Sequence, residues 1–139
     1  MVFRPESMLL RRVLQANAVF STISGIALVA AAGQLAALMG VGRSWILLAI
    51  GAVLLVFAVT LLVNSLRENI KENEVVQAII SDGVWVAASI VIVFMGIVST
   101  AGIWMVAIVA CLVLSFAILQ AAGLRKLRRA VSRPSPSPA

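Results

Sequence analysis

Four long apolar runs, separated by short polar breaks, set the pattern of this chain. A helix that crosses the hydrocarbon core of a bilayer needs about 20 mostly apolar residues. Residues 13–39, 45–66, 75–98 and 102–123 each reach that length. In lipid a backbone must satisfy its own hydrogen bonds, which a helix does and an open strand does not. The pattern therefore predicts an all-α, polytopic membrane protein. The last break, "STAG" at 99–102, is short enough to make its two helices antiparallel neighbours. The expected architecture is a four-transmembrane-helix bundle built from two antiparallel helical hairpins. A basic flank at 1–12 precedes it. Residues 124–139 follow as a basic juxtamembrane segment and a Pro/Ser tail, "SRPSPSPA", expected to be disordered or extended.

Composition strengthens this picture. The 139 residues are 63% hydrophobic, with mean hydropathy +1.14, against about 45–50% apolar in soluble domains. A water-soluble fold of this length has no interior large enough for the excess. The net charge of +6 would suit nucleic acid in a soluble protein, but its placement follows the membrane. Ten of the 11 Lys and Arg residues lie on the N-terminal flank (Arg4, Arg11, Arg12), the middle connection (Arg67, Lys71) and the C-terminal flank, and only Arg43 lies elsewhere. Basic residues mark the cytoplasmic side. The expectation is a multi-pass protein of the cell inner (plasma) membrane with both termini cytoplasmic and no nucleic-acid partner. An Ala-x-Ala pattern in "ALVAAAGQ" admits a cleaved signal peptide, but Gln15 and Asn17 interrupt the apolar core such a peptide needs. An uncleaved first helix is the favoured reading.

A few polar residues fall inside the apolar runs. Depth counting places Asn17, Asn64, Asp82 and Gln120 at one level on the cytoplasmic side. Polar groups in a membrane turn inward to find hydrogen bonds. They are therefore expected to form a layer between the helices, either glue for the bundle or a ligand or ion site. For Asp82 a plainer alternative is a helix-start carboxylate in "SDG", favoured by capping and the helix dipole. If the layer holds an ionised Asp82, the candidate counter-ions are Arg11, Arg12 and Arg125. Trp85, three residues on, reads either as an interfacial anchor or as one wall of a cavity beside the carboxylate. Small residues four apart mark helix contacts: Ser21 and Gly25, Ala27 and Ala31, Ala32 and Ala36, and Ala107, Cys111 and Ser115. Cys111 is read as a small buried apolar residue. A faint repeat between 43–68 and 101–126 pairs Trp45 with Trp104 and Phe57 with Phe116.

Catalytic chemistry finds little material. The chain has no His and no Tyr and only one Cys, which removes His-based acid–base work and most zinc and haem ligation. No cofactor is expected, and Glu68, Glu72 and Glu74 in "RENIKENE" read as a solvated charge run. Past the last span, Leu124, Leu127 and Val131 share one side of a continued helix. Arg125, Lys126, Arg128 and Arg129 surround the other side and are expected to contact anionic lipid headgroups.

"SDGVWVAAS" followed by "LQAAGLRK" resembles a pattern in small bacterial four-helix inner-membrane proteins to which no activity is assigned. The resemblance covers most of residues 8–129, leaves out the Pro/Ser tail, and implies the four-helix architecture and no catalytic residue. The leading functional expectation is a non-enzymatic accessory or structural subunit that packs with lipid, a membrane-protein partner or a second copy. The alternative is a small oligomeric transporter or ion-coupled carrier that uses Asp82.

Overall fold

The computed structural model describes residues 5–134. Arg4 of the N-terminal flank and residues 135–139 of the Pro/Ser tail lie outside the described residues. A 3-10 turn at Pro5–Ser7 leads into α1 (Met8–Ala30), followed by α2 (Ala32–Met39), α3 (Ser44–Leu66), α4 (Glu72–Met95) and α5 (Thr100–Val131). Four stretches are long and apolar enough to cross a membrane: Pro5–Ala30, Ser44–Leu66, Glu72–Met95 and Thr100–Val131. Large apolar side chains such as Val53, Phe94 and Trp104 point outward, as a lipid-facing surface requires. The all-helical membrane bundle of two antiparallel hairpins is thus the observed fold: α1 packs along α3, and α4 packs along α5.

The third span is shifted three residues toward the N-terminus, to Glu72–Met95, and the boundaries depart from the sequence pattern in three further places. The first helix begins at Met8, inside the expected flank, because Arg11 has buried partners described below. The first run is also two helices instead of one. Ala31 leaves the helical well at φ −117° and ψ 26°. The ladder closes with the Ala31 N–H donating to Ala27 O at 2.9 Å and resumes with the Leu35 N–H donating to Ala31 O at 2.9 Å. Gly33 sits just past this break, and a Cβ there would meet nothing within 4 Å. No close packing explains this glycine, and it weakens the helix locally by about 0.5–1 kcal/mol relative to alanine. Finally, α5 runs eight residues past the expected end at 123, to Val131.

The hairpins have defined ends. Gly40 and Gly96, at φ +74° and +65°, end α2 and α4 in the left-handed conformation that suits glycine. Ser99 then joins the two turns. Its N–H donates to Met39 O at 2.8 Å, its hydroxyl donates to Leu38 O at 2.7 Å, and its Oγ caps α5 by accepting the Gly102 N–H at 3.1 Å. Within the first hairpin, α1 and α3 cross at Gly25 and Gly51. A Cβ on Gly51 would come 2.9 Å from Gly25 O, and one on Gly25 would come 2.9 Å from Leu55 Cγ. The Ser21/Gly25 step is therefore a true backbone contact.

Two apolar clusters fill the ends of the bundle. Leu10, Leu14, Leu61, Val75, Leu124 and Leu127 belong to the one at the terminal end. Ala32, Ala36 and Leu47 form the other. Leu124 and Leu127 thus pack on protein, while Val131 is exposed, so only part of the expected amphipathic side faces outward. Cys111, expected to be buried, is a second correction: it is exposed, as is Ser115, and Ala107 is half-buried, so this strip does not pack inside the bundle. Cys111 faces outward because the contact between α4 and α5 uses the opposite side of α5, which carries Val113, Ala117 and Gln120.

Candidate functional site

Between the two apolar clusters lies a buried polar centre. Asp82 projects from α4 and is 4% exposed, Asn17 from α1 is 1% exposed, and Gln120 from α5 is fully buried. Asn17 Nδ2 donates to Asp82 Oδ2 at 3.1 Å. Gln120 Nε2 donates to the same oxygen, also at 3.1 Å. Ser21 Oγ, one turn along α1, donates to Asn17 Oδ1 at 3.3 Å. One carboxylate oxygen therefore ties together three spans. The backbones of α1 and α4 do not otherwise pack against each other among the described residues, so the Asn17–Asp82 bond bridges an interior gap.

The expectation that Asp82 starts a helix falls here. The helix begins at Glu72, and at about 1.5 Å per residue Asp82 lies roughly 15 Å along it. Lys71 is the residue that precedes the first turn, and Asn64 holds it. Lys71 N–H donates to Asn64 Oδ1 at 2.9 Å, and Asn64 Nδ2 donates to Lys71 O at 3.2 Å. Asn64 is buried at the expected depth but faces the α3–α4 connection and takes no part in the layer around Asp82.

The expected counter-ions are also placed elsewhere. Arg12 and Arg125 are exposed. Arg11 is buried, and its Nη1 donates to Ser65 O at 2.8 Å and to Arg67 O. Its Nη2 donates to Glu68 O at 2.7 Å and its Nε to Ser7 Oγ at 2.9 Å. A cation at the C-terminal end of a helix satisfies orphaned carbonyls and the helix dipole together, which is why this arginine turns to α3. Asp82 has no ion pair among the described residues.

A cavity of about 180 Å³ opens beside the carboxylate. All four spans line it: Asn17, Phe20, Ser21 and Ser24 from α1; Val53, Leu54 and Phe57 from α3; Ser81, Asp82 and Trp85 from α4; Val109 and Val113 from α5. Trp85 is half-buried and forms one wall. Phe20 also packs against Phe116 of α5, with ring centroids 5.6 Å apart, which holds this wall in place. Asp82 Oδ1 makes no hydrogen bond among the described residues, and Gln120 Oε1 is buried without a partner.

No known protein family matches this sequence, and no curated protein or solved structure matches it either. The chemistry of the site must therefore be read from its own atoms.

The basic end of α5 forms a second surface. Arg125, Lys126, Arg128 and Arg129 are all exposed. Arg125, Lys126, Arg129 and Arg133 line a shallow depression of about 470 Å³ with Glu6 at its edge. Arg128 turns aside, and its Nε donates to Glu72 Oε2 at 2.8 Å. Glu72 is thus paired across the hairpin while staying at the exposed surface. Among the described residues no cluster of three or more His, Cys, Asp or Glu side chains could hold a metal ion.

Sequence reasoning missed Ser21 and Ser24 as part of the site. The signal was present, since Ser21 lies four residues after Asn17 on the same helix face. The small-residue pattern had already assigned Ser21 to packing, and it serves both purposes.

Proposed function

We propose that this chain is a small, non-enzymatic, cation-binding protein of the inner membrane, belonging to the ion-coupled carrier class, with Asp82 as its coupling carboxylate. Both termini are cytoplasmic, and Arg125, Lys126 and Arg129 contact anionic headgroups there. The observation that carries this reading is the setting of Asp82: a buried carboxylate with no ion pair among the described residues, bordering a cavity to which every span contributes. Ionisable groups inside a membrane are costly and are kept where they serve a pathway or a partner. A carboxylate that served only as glue would need no space beside it.

Melting temperatures of the purified protein, taken across a panel of monovalent inorganic and ammonium cations, test this reading. A ligand at 100 times its dissociation constant stabilises the folded state by about 2.7 kcal/mol, a shift of several degrees. The wild-type protein should respond to at least one cation and Asp82→Asn to none. Equal responses from both proteins would overturn the assignment.

A second reading, the accessory subunit, draws on the outward strip of Cys111 and Ser115 beside Ala107. Small residues let helices approach closely, and this face is uncovered within one chain. Native mass measurement after mild detergent extraction separates the two readings: a foreign subunit bound to every copy supports the accessory role, and a monomer or homodimer supports the carrier.

A further inference from the structure

We infer that the cavity beside Asp82 receives a compact primary ammonium compound with an apolar body. This inference rests on the cation-binding reading and narrows it to a ligand class. Three features of the site converge.

The first is the hydrogen-bond balance. Asp82 Oδ2 is occupied by two amide donors, while Oδ1 has none. A carboxylate oxygen without a donor is an open acceptor, and an ammonium group brings up to three N–H donors together with the positive charge.

The second is the wall. Phe20, Phe57 and Trp85 border the space together with Val53, Val109 and Val113. Aromatic faces attract a cation and the aliphatic side chains favour an apolar body. A bare metal ion would need a shell of oxygen ligands in place of its water, and this wall is mostly carbon. The polar side chains, Asn17, Ser21, Ser24 and Ser81, supplement Asp82 on the lining.

The third is size and access. An apolar cavity of about 150 Å³ holds a benzene ring, and this one measures about 180 Å³. A groove of about 540 Å³ on the α3–α4 side shares Phe57 and Ser81 with the cavity. That flank is thinly packed and gives a route in from the side.

Calorimetric titration of the full chain in mild detergent tests the inference. The probes are cyclohexylammonium, its neutral counterpart cyclohexanol, and sodium. Cyclohexylammonium should bind. Asp82→Asn should weaken it by about tenfold or more, as loss of a charged hydrogen bond implies. Trp85→Leu, which leaves the carboxylate in place, should weaken it about two- to fivefold through loss of the aromatic face. Circular dichroism confirms that each variant is folded, and the tryptophan variant keeps the test decisive if the aspartate variant is not. Equal binding of cyclohexanol would overturn the inference by showing an apolar hole indifferent to charge. Sodium binding that depends on Asp82, without amine binding, would also overturn it while leaving the cation-binding reading intact. Binding of neither cation would overturn the inference, and the cation panel above decides separately whether the cation-binding reading falls with it.

Discussion

Asp82 and Arg11 are the two buried ionisable residues of the bundle, and they are satisfied by different means. Arg11 meets the carbonyls of Ser65, Arg67 and Glu68, so its charge closes the end of α3. Arg11→Met should cost about 3 kcal/mol, because it removes charge-assisted bonds and strands buried carbonyls. Arg11→Lys should recover only part of that, since an ammonium lacks the planar fork. Unfolding of both variants by SDS titration in mixed micelles checks this, and a cost under about 0.5 kcal/mol, the scale of an ordinary surface substitution, would count against the staple. Sequence located both residues but joined them wrongly. Arg11 lies six residues before Asn17, about 9 Å nearer the terminal end at 1.5 Å per residue, and the exposed carbonyls of α3 lie closer. The same limit applied to Asn64. Depth along a helix can be counted from the ends of an apolar run, whereas the direction a side chain faces depends on how the helices are rotated. Asn17, Asp82 and Gln120 shared both depth and direction, and Asn64 shared only depth.

At the scale of the element, glycines separate contact from accident. Gly51 meets the α1 backbone, and Gly83, in the middle of α4, meets nothing within 4 Å. Gly51→Ala should destabilise the first hairpin by about 1–3 kcal/mol through overpacking. Gly83→Ala should stabilise α4 by up to about 1 kcal/mol through helix propensity. The same SDS titration reads both, and equal effects would show that the α1–α3 crossing is looser than described. The existence of each span was legible because 20 apolar residues in a row admit one interpretation in lipid. The break at Ala31 was not, since no proline marks it and a single glycine inside a helix is common in membranes. Nor was the outward facing of Cys111. Nearly every residue of α5 between Ile103 and Leu119 is apolar or small, so its inner and outer faces look alike, and burial followed only from which side met α4.

For the whole molecule, the hairpin arrangement places the α2–α3 and α4–α5 turns together at one end, tied by Ser99. Gly123 lies against Leu10 at the other end, where a Cβ would come 3.1 Å from the Leu10 backbone. Compartment reporters inserted near Arg43 and fused at the C-terminus should therefore report opposite sides, with the C-terminal one cytoplasmic as the basic residues direct. Reporters on the same side would contradict the threading and the proposed location of the basic α5 end together. Fold class was legible in the sequence because bilayer thickness fixes span length and backbone satisfaction fixes helix. The partnership of α1 with α3 and of α4 with α5 followed from short connections. The interior gap between α1 and α4 did not, because it arises from how two finished hairpins lean on each other.

That gap has a mechanical consequence. Both ends of the first hairpin are stapled, by Arg11 at one and Ser99 at the other, so it behaves as a fixed post. Its partner α4 packs mainly on α5 and meets α1 through the apolar cluster at the terminal end and one amide-to-carboxylate bond. Whatever competes for that carboxylate loosens the hydrogen bond between α4 and α1, so occupancy of the site and the lean of this helix become two readings of one equilibrium.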